Sequence, residues 1–175
     1  MNWTLFFSPD AKAGHKRYAL HAQALCVLFF VLAGCEEEVP KLPAPEISLE
    51  LFDGGSFSLS EHKGRVVVIN FFASWCIPCK AEAPALDKVY REYKIKNVVF
   101  LGIAMQDTKS KAMGFIEETG VSFPAGLDDN NKIKEAFGVY GIPATYFIDK
   151  DGKINYTHAG MLTEDLIRYE LDKIL

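Results

Sequence analysis

Val66 to Lys80 reads VVVINFFASWCIPCK, and the order of its parts decides the fold. Val66 to Phe72 is an almost unbroken apolar run, the pattern of a strand buried on both faces of a sheet. Cys76 and Cys79 follow after three residues, and from Cys76 to Tyr93 the residues Ala81, Leu86, Val89, Tyr90 and Tyr93 recur at helical spacing. A C-x-x-C pair therefore stands at the turn from a buried strand into a helix. Two intervening residues let both sulfurs share one helical turn. Cys76 falls at the helix N-terminus, where unpaired N–H groups and the helix dipole favour a thiolate. Cys79 lies one turn inward. This makes Cys76 the attacking sulfur and Cys79 the resolving one in thiol-disulfide exchange. A metal site is the rival reading, but it needs two further ligands. The only histidines beyond the leader, His62 and His158, are far apart in the sequence. An inert structural bridge is the other rival.

Outward from this core, strands and helices alternate. Ile47–Leu51 and Ser56–Leu59 flank the turn signal Asp53-Gly54-Gly55 and predict an N-terminal hairpin. Val98–Met105 is a second buried strand. Lys109–Glu118 is a helix ended by Gly120, Pro124–Leu127 a short strand before the acidic turn Asp128-Asp129-Asn130, and Asn131–Phe137 a short helix. Ala144–Ile148 and Lys153–Thr157 pair over Asp149-Lys150-Asp151-Gly152. Thr163 caps a last helix to Leu175, with Glu164 and Asp165 where the dipole favours acids. The fold class is α/β, a central mixed sheet flanked by helices.

The chain has 175 residues, 49% hydrophobic and 24% charged, with net charge −4. That balance suits one globular domain and excludes a disordered tail. It offers no basic excess for nucleic acid. The N-terminus reads as a targeting segment. His15, Lys16 and Arg17 precede the apolar run Ala24–Ala33, which is too short for the ~20 residues of a spanning helix. Leu32-Ala33-Gly34-Cys35 resembles the bacterial lipobox, in which cleavage precedes a cysteine that carries lipid. This reading divides the chain into a signal peptide at 1–34, lipidated Cys35 with an acidic, proline-rich spacer at 35–45, and a domain at 46–175. An uncleaved signal anchor is the alternative, and either places the domain outside the cytoplasm. Cleavage would remove Cys26 and cap Cys35, so only Cys76 and Cys79 of the four cysteines would remain as thiols.

The stretch Phe71 to Pro84, FFASWCIPCKAEAP, resembles the thioredoxin superfamily, in particular its extracytoplasmic TlpA/ResA/CcmG branch. The similarity extends over about residues 45–175. Gly141-Ile142-Pro143-Ala144-Thr145 resembles the loop whose cis proline faces the C-x-x-C. Pro84 matches a kink proline, Gly160 a glycine before the last helix, and Glu82 an acidic residue that this branch keeps near the redox pair. The resemblance implies a thioredoxin-like fold with a helix and strand inserted between about Ala104 and Tyr140. It implies that Glu82 exchanges a proton with Cys79 or raises the thiol pKa values. A solvated helix glutamate is the plain alternative. Asn70 stands where cytoplasmic thioredoxin has a buried aspartate. An amide cannot relay a proton, which leaves that task to Glu82. Trp75, Ile77, Pro78, Ile142 and Pro143 would bind the partner segment, with packing as the plain alternative for Trp75.

The function implied is a membrane-tethered thiol-disulfide oxidoreductase that reduces disulfides of exported proteins, such as apocytochrome c in cytochrome c maturation. Its partners would be protein thiols and disulfides, the membrane through the lipid, and a membrane thiol carrier that returns electrons. No cofactor, metal or nucleic acid is expected, and the chain is expected to be a monomer. A peroxiredoxin-like thiol peroxidase is one alternative, but Ile69 to Cys76 reads INFFASWC, without the Pro and Thr of the peroxidatic pattern. A non-catalytic copper-binding lipoprotein is the other.

Overall fold

The computed structural model describes residues 40–175. Residues 1–34, Cys35 and the acidic Glu36–Glu38 lie outside the described residues. Among the described residues no helix is long and apolar enough to cross a membrane.

Five strands form the sheet: β3 (Val67–Phe72), β4 (Val99–Met105), β5 (Ala125–Asp128), β6 (Ala144–Ile148) and β7 (Ile154–Ala159). A separate two-stranded hairpin, β1 (Ser48–Glu50) and β2 (Ser56–Ser58), precedes them. The sheet order is β5-β4-β3-β6-β7. β3 runs parallel to β4 and antiparallel to β6, so the sheet is mixed and the strand before the C-x-x-C is central. Every residue of β3 is buried, as its continuous apolar run predicts.

The period of two along β3 sorts its side chains into two cores. Val67, Ile69 and Phe71 turn toward the hairpin residues Leu49 and Phe57 and toward Ile133 and Phe137 at α3 (Lys132–Ala136). Val66 and Val68 turn toward α1 (Ile77–Tyr93) and α4 (Glu164–Asp172), against Leu86, Val89, Ile167 and Leu171. Phe72, on that second face, stacks on Phe115 of α2 (Lys109–Thr119) at 4.6 Å between ring centroids. Three helices thus cover one face, and the hairpin with the single turn of α3 covers the other. The hairpin is seated by a close approach. A Cβ on Gly126 would fall on the Glu50 carbonyl oxygen and 2.8 Å from Leu49 Cγ.

Several boundaries differ from expectation. β5 begins and ends one residue later than Pro124–Leu127, because Asp128 is buried rather than part of an exposed acidic turn. Its carboxylate accepts the N–H groups of Ile133 at 3.3 Å and Lys134 at 2.8 Å, and so caps α3 in place of Asn131. β7 runs on to Ala159, and α4 stops at Asp172. The last spacer residues lie against the turn between β6 and β7: Ala44 N–H donates to Gly152 O at 2.9 Å, and Leu42 O accepts from Ile154 N–H at 2.8 Å.

Candidate active site

The turn out of β3 places Cys76 as the N-cap of α1, in an extended conformation, with its Sγ accepting the Cys79 N–H at 3.2 Å. Pro78 sits in the first helical turn, where a missing N–H leaves no bond unmade. Cys76 and Cys79 are joined in a disulfide with Cα atoms 5.3 Å apart. Exposure does little to separate them, at 4% and 1%. What separates them is position: Cys76 is the N-cap at the open end of the helix, and Cys79 is a buried residue of its first turn; both belong to one apolar cluster with Phe72, Ala83 and Ala104. Pro84 follows inside α1, where it leaves the carbonyl one turn back without its helical donor.

Glu82, one turn beyond Cys79 and on the same face, is 2% exposed. The solvated alternative is therefore set aside. Its Oε1 accepts from Asn70 Nδ2 at 2.8 Å, and its Oε2 accepts from the Leu162 N–H at 3.0 Å. The same Asn70 amide nitrogen donates to Thr145 Oγ1 at 3.0 Å. Burial pushes the Glu82 carboxyl up from its ordinary 4.5 to about 7, while the Leu162 and Asn70 donors pull against that rise. A carboxyl of this kind can take or give a proton near neutrality, and this one lies buried one helical turn beyond Cys79.

The surface around the disulfide is apolar. Trp75 and Ile77 are 59% and 80% exposed, Pro78 is exposed, and Ile142 is half-buried against the cluster that holds both cysteines. The Ile142-Pro143 peptide is cis. Pro143 itself is buried, and its carbonyl accepts the Gly160 N–H at 2.9 Å. Gly160 adopts φ +111°, which suits glycine alone. Two further exposed residues that periodicity could not flag adjoin this loop along the chain: Tyr140, three residues before Pro143, and Met161, next to the Gly160 that bonds Pro143. Trp75 is held from behind. Its Nε1 donates to Gln106 O at 3.1 Å, and the Asp107 carboxylate accepts from Ser74 N–H at 2.6 Å and Ser74 Oγ at 3.0 Å. Trp75 thus serves packing and surface together. Lys80 forms a surface pair with Glu118 at 2.7 Å.

His62 lies against Phe57 and Arg65, and His158 contacts Tyr156 and the Met161 carbonyl. Among the described residues no group of three or more His, Cys, Asp or Glu could hold a metal.

A cysteine pair at a helix N-terminus, after the central strand of a mixed sheet and with a cis proline among its flanking loops, defines a thioredoxin-like redox protein. The chain belongs to the AhpC/TSA family, whose profile matches residues 40–157. It is 35% identical over 138 residues to the thiol-disulfide oxidoreductase ResA of Oceanobacillus iheyensis, covering 79% of this chain and 71% of that one. It is 33% identical over 137 residues to ResA of Bacillus subtilis, covering 78% and 76%. A crystal structure of a putative thiol:disulfide interchange protein DsbE from Chlorobium tepidum superposes with a TM-score of 0.72 at 26% identity, covering 78% of this chain and 97% of that one. The protein is a thiol-disulfide oxidoreductase with a thioredoxin-like fold.

Proposed function

We propose that this oxidoreductase works outside the cytoplasm, tethered by lipid on Cys35 after loss of residues 1–34, and reduces disulfides of exported proteins. Reduction of apocytochrome c during cytochrome c maturation is the specific task that its branch resemblance suggests. The lipobox-like Leu32-Ala33-Gly34-Cys35 supports the tether. The observation that carries the reading is the buried Cys76–Cys79 bond at the start of α1 with Glu82 one turn behind it.

In the reduced enzyme the Cys76 thiolate attacks one sulfur of the partner's disulfide. A Cys76–partner disulfide forms, and the other partner sulfur leaves as a thiolate and takes a proton. Cys79 gives its proton to the Glu82 carboxylate and attacks Cys76. The Cys76–Cys79 bond closes, and the second partner thiol is released. Two electrons have passed to the partner. A membrane thiol carrier returns them by the reverse exchange. Trp75, Ile77, Pro78 and Ile142 provide the surface on which an extended segment lies, beside the Pro143 loop.

Cys79→Ser should trap partners on Cys76 as mixed disulfides, and their identification names the substrate. Failure to trap any, with peroxide consumption intact, would refute this reading in favour of a peroxidase. The pair's reduction potential should lie well below the about −180 mV of protein disulfide isomerase. A value near the about −120 mV of strong oxidants would reverse the proposed direction of electron flow.

A further inference from the structure

Asn70 is the one polar residue in the middle of β3, and as an amide it has no proton to relay. Its placement follows from register. It lies on the β3 face that turns toward α1, and it is the direct partner of Thr145 in the antiparallel pairing with β6. Residues opposed in this way point to the same side of a sheet. The amide nitrogen has two hydrogens, and both are used, one on Glu82 Oε1 and one on Thr145 Oγ1. Turning the amide over would set its oxygen against the ionised Glu82 carboxylate, an acceptor only, so the carboxylate form of Glu82 fixes the amide's orientation.

We infer that Asn70 is a positioning residue of the redox site: anchored on Thr145, its amide orients the Glu82 carboxyl and keeps it able to release a proton within the core. The inference rests on the reading of Glu82 as the group that exchanges a proton with Cys79. Each Glu82 oxygen receives one N–H donor, and donors to both oxygens favour the carboxylate. Burial favours the acid and is the larger influence. The Leu162 donor is backbone, so the side chain at position 70 sets how far burial is opposed. An apolar residue would leave Oε1 bare. An aspartate would put a second carboxyl within hydrogen-bond distance of the first.

Few charges compete with this control. From β3 and β6 the facing groups, Asn70 and Thr145, are neutral. On α1 the facing titratable group is the Cys79 thiol once the pair is reduced, with Cys76 at the helix end. His158, on β7, is engaged by Tyr156 and Met161. The acids that open α4, Glu164 and Asp165, pair with Lys88 and Arg168. No charged side chain is among the causes that shift Glu82.

The test is a carbon-13 titration of the Glu82 carboxyl in the reduced mature protein, comparing wild type, Asn70→Ala and Thr145→Val. Loss of one hydrogen bond to a carboxylate should raise the midpoint by about one pH unit, a tenfold change in proton affinity, in Asn70→Ala. Thr145→Val, which frees the amide but leaves it in place, should give a smaller rise. Coincident midpoints in wild type and Asn70→Ala overturn the inference. If Asn70→Ala does not fold, Thr145→Val decides alone: a rise supports the inference and no change overturns it. Iodoacetamide alkylation of the thiols against pH supplies the second readout. Asn70→Ala should shift that profile in the wild-type background and leave it unmoved in Glu82→Gln. An alkylation profile that Glu82→Gln itself does not alter would refute the proton role of Glu82, while the carboxyl titration would still report on Asn70.

Discussion

Replacing Glu82 by glutamine removes a buried titratable group at almost constant shape, and its effect on stability should change with pH. In the folded protein the carboxyl titrates at about 7, in the unfolded chain near 4.5. The sign follows from this order. Below pH 4.5 both states hold the proton and the group is neutral in folding. Between the two values the unfolded chain releases its proton while the folded one keeps it, so stability falls as pH rises, and above 7 the full cost is present. That cost is on the order of 3 kcal/mol, at about 1.4 kcal/mol per pH unit. Glutamine pays none of it. At low pH the variant resembles the protonated acid, because either presents one acceptor and one donor. The Leu162 N–H cannot turn, so the glutamine oxygen must face it, and the Asn70 amide meets a donor. Urea unfolding of the oxidised proteins, in which no thiol titrates, should therefore give similar stabilities at acid pH. Above pH 7 Glu82→Gln should be more stable than wild type by on the order of 3 kcal/mol. Parallel stability curves across this range would refute the argument that Glu82 is a desolvated acid.

Other parts of the structure give equally definite expectations. Asp87 accepts from Ser122 N–H, Ser122 Oγ and Arg91 Nε at 2.6 to 2.7 Å; although burial pulls its carboxyl up, these partners hold it below its ordinary 3.8. Asp87→Ala should cost about 2 kcal/mol in urea unfolding at neutral pH, since it leaves Ser122 N–H unpaired. The wild-type contribution should be complete above pH 3.8 and be lost as pH falls through the depressed folded midpoint. Gly126→Ala should destabilise by about 1–3 kcal/mol and raise hydrogen exchange selectively in the hairpin, because the new methyl displaces β1 from the sheet. Asp107→Ala should release Ser74 and with it Trp75. Trp75 is the only tryptophan after the leader, so increased acrylamide quenching of its emission measures that release directly.

The central strand, the redox turn and the order of elements are legible because local signals agree. Val66–Phe72 is apolar at nearly every position, glycines mark turns, and the cysteine spacing has few meanings. Glu82 is different. On paper it is one of many helix glutamates, and only its position three after Cys79 marks it. Its burial is set by Leu162 and Asn70, residues 80 and 12 positions away, and no window of sequence contains that arrangement. Asp128 reads as part of an acidic loop for the same reason: its partners are backbone N–H groups, which have no letter in the sequence. Tyr140 and Met161 stand out only once their exposure is seen in the folded chain.

The contacts behind Trp75 make the two banks of the redox site mechanically unequal. On one bank the indole is bolted through Gln106, and the preceding Ser74 through Asp107, to the strand end that leads into α2. On the other, Tyr140, two residues before Ile142, projects with its whole side chain in solvent. A partner segment lying across this surface as proposed would meet a fixed wall on the tryptophan side and an adaptable one on the tyrosine side. Shape would then be read against Trp75, and variation among partners absorbed at Tyr140. Retuning this enzyme for a different client should begin at Tyr140, where a new side chain disturbs nothing that holds the disulfide in place.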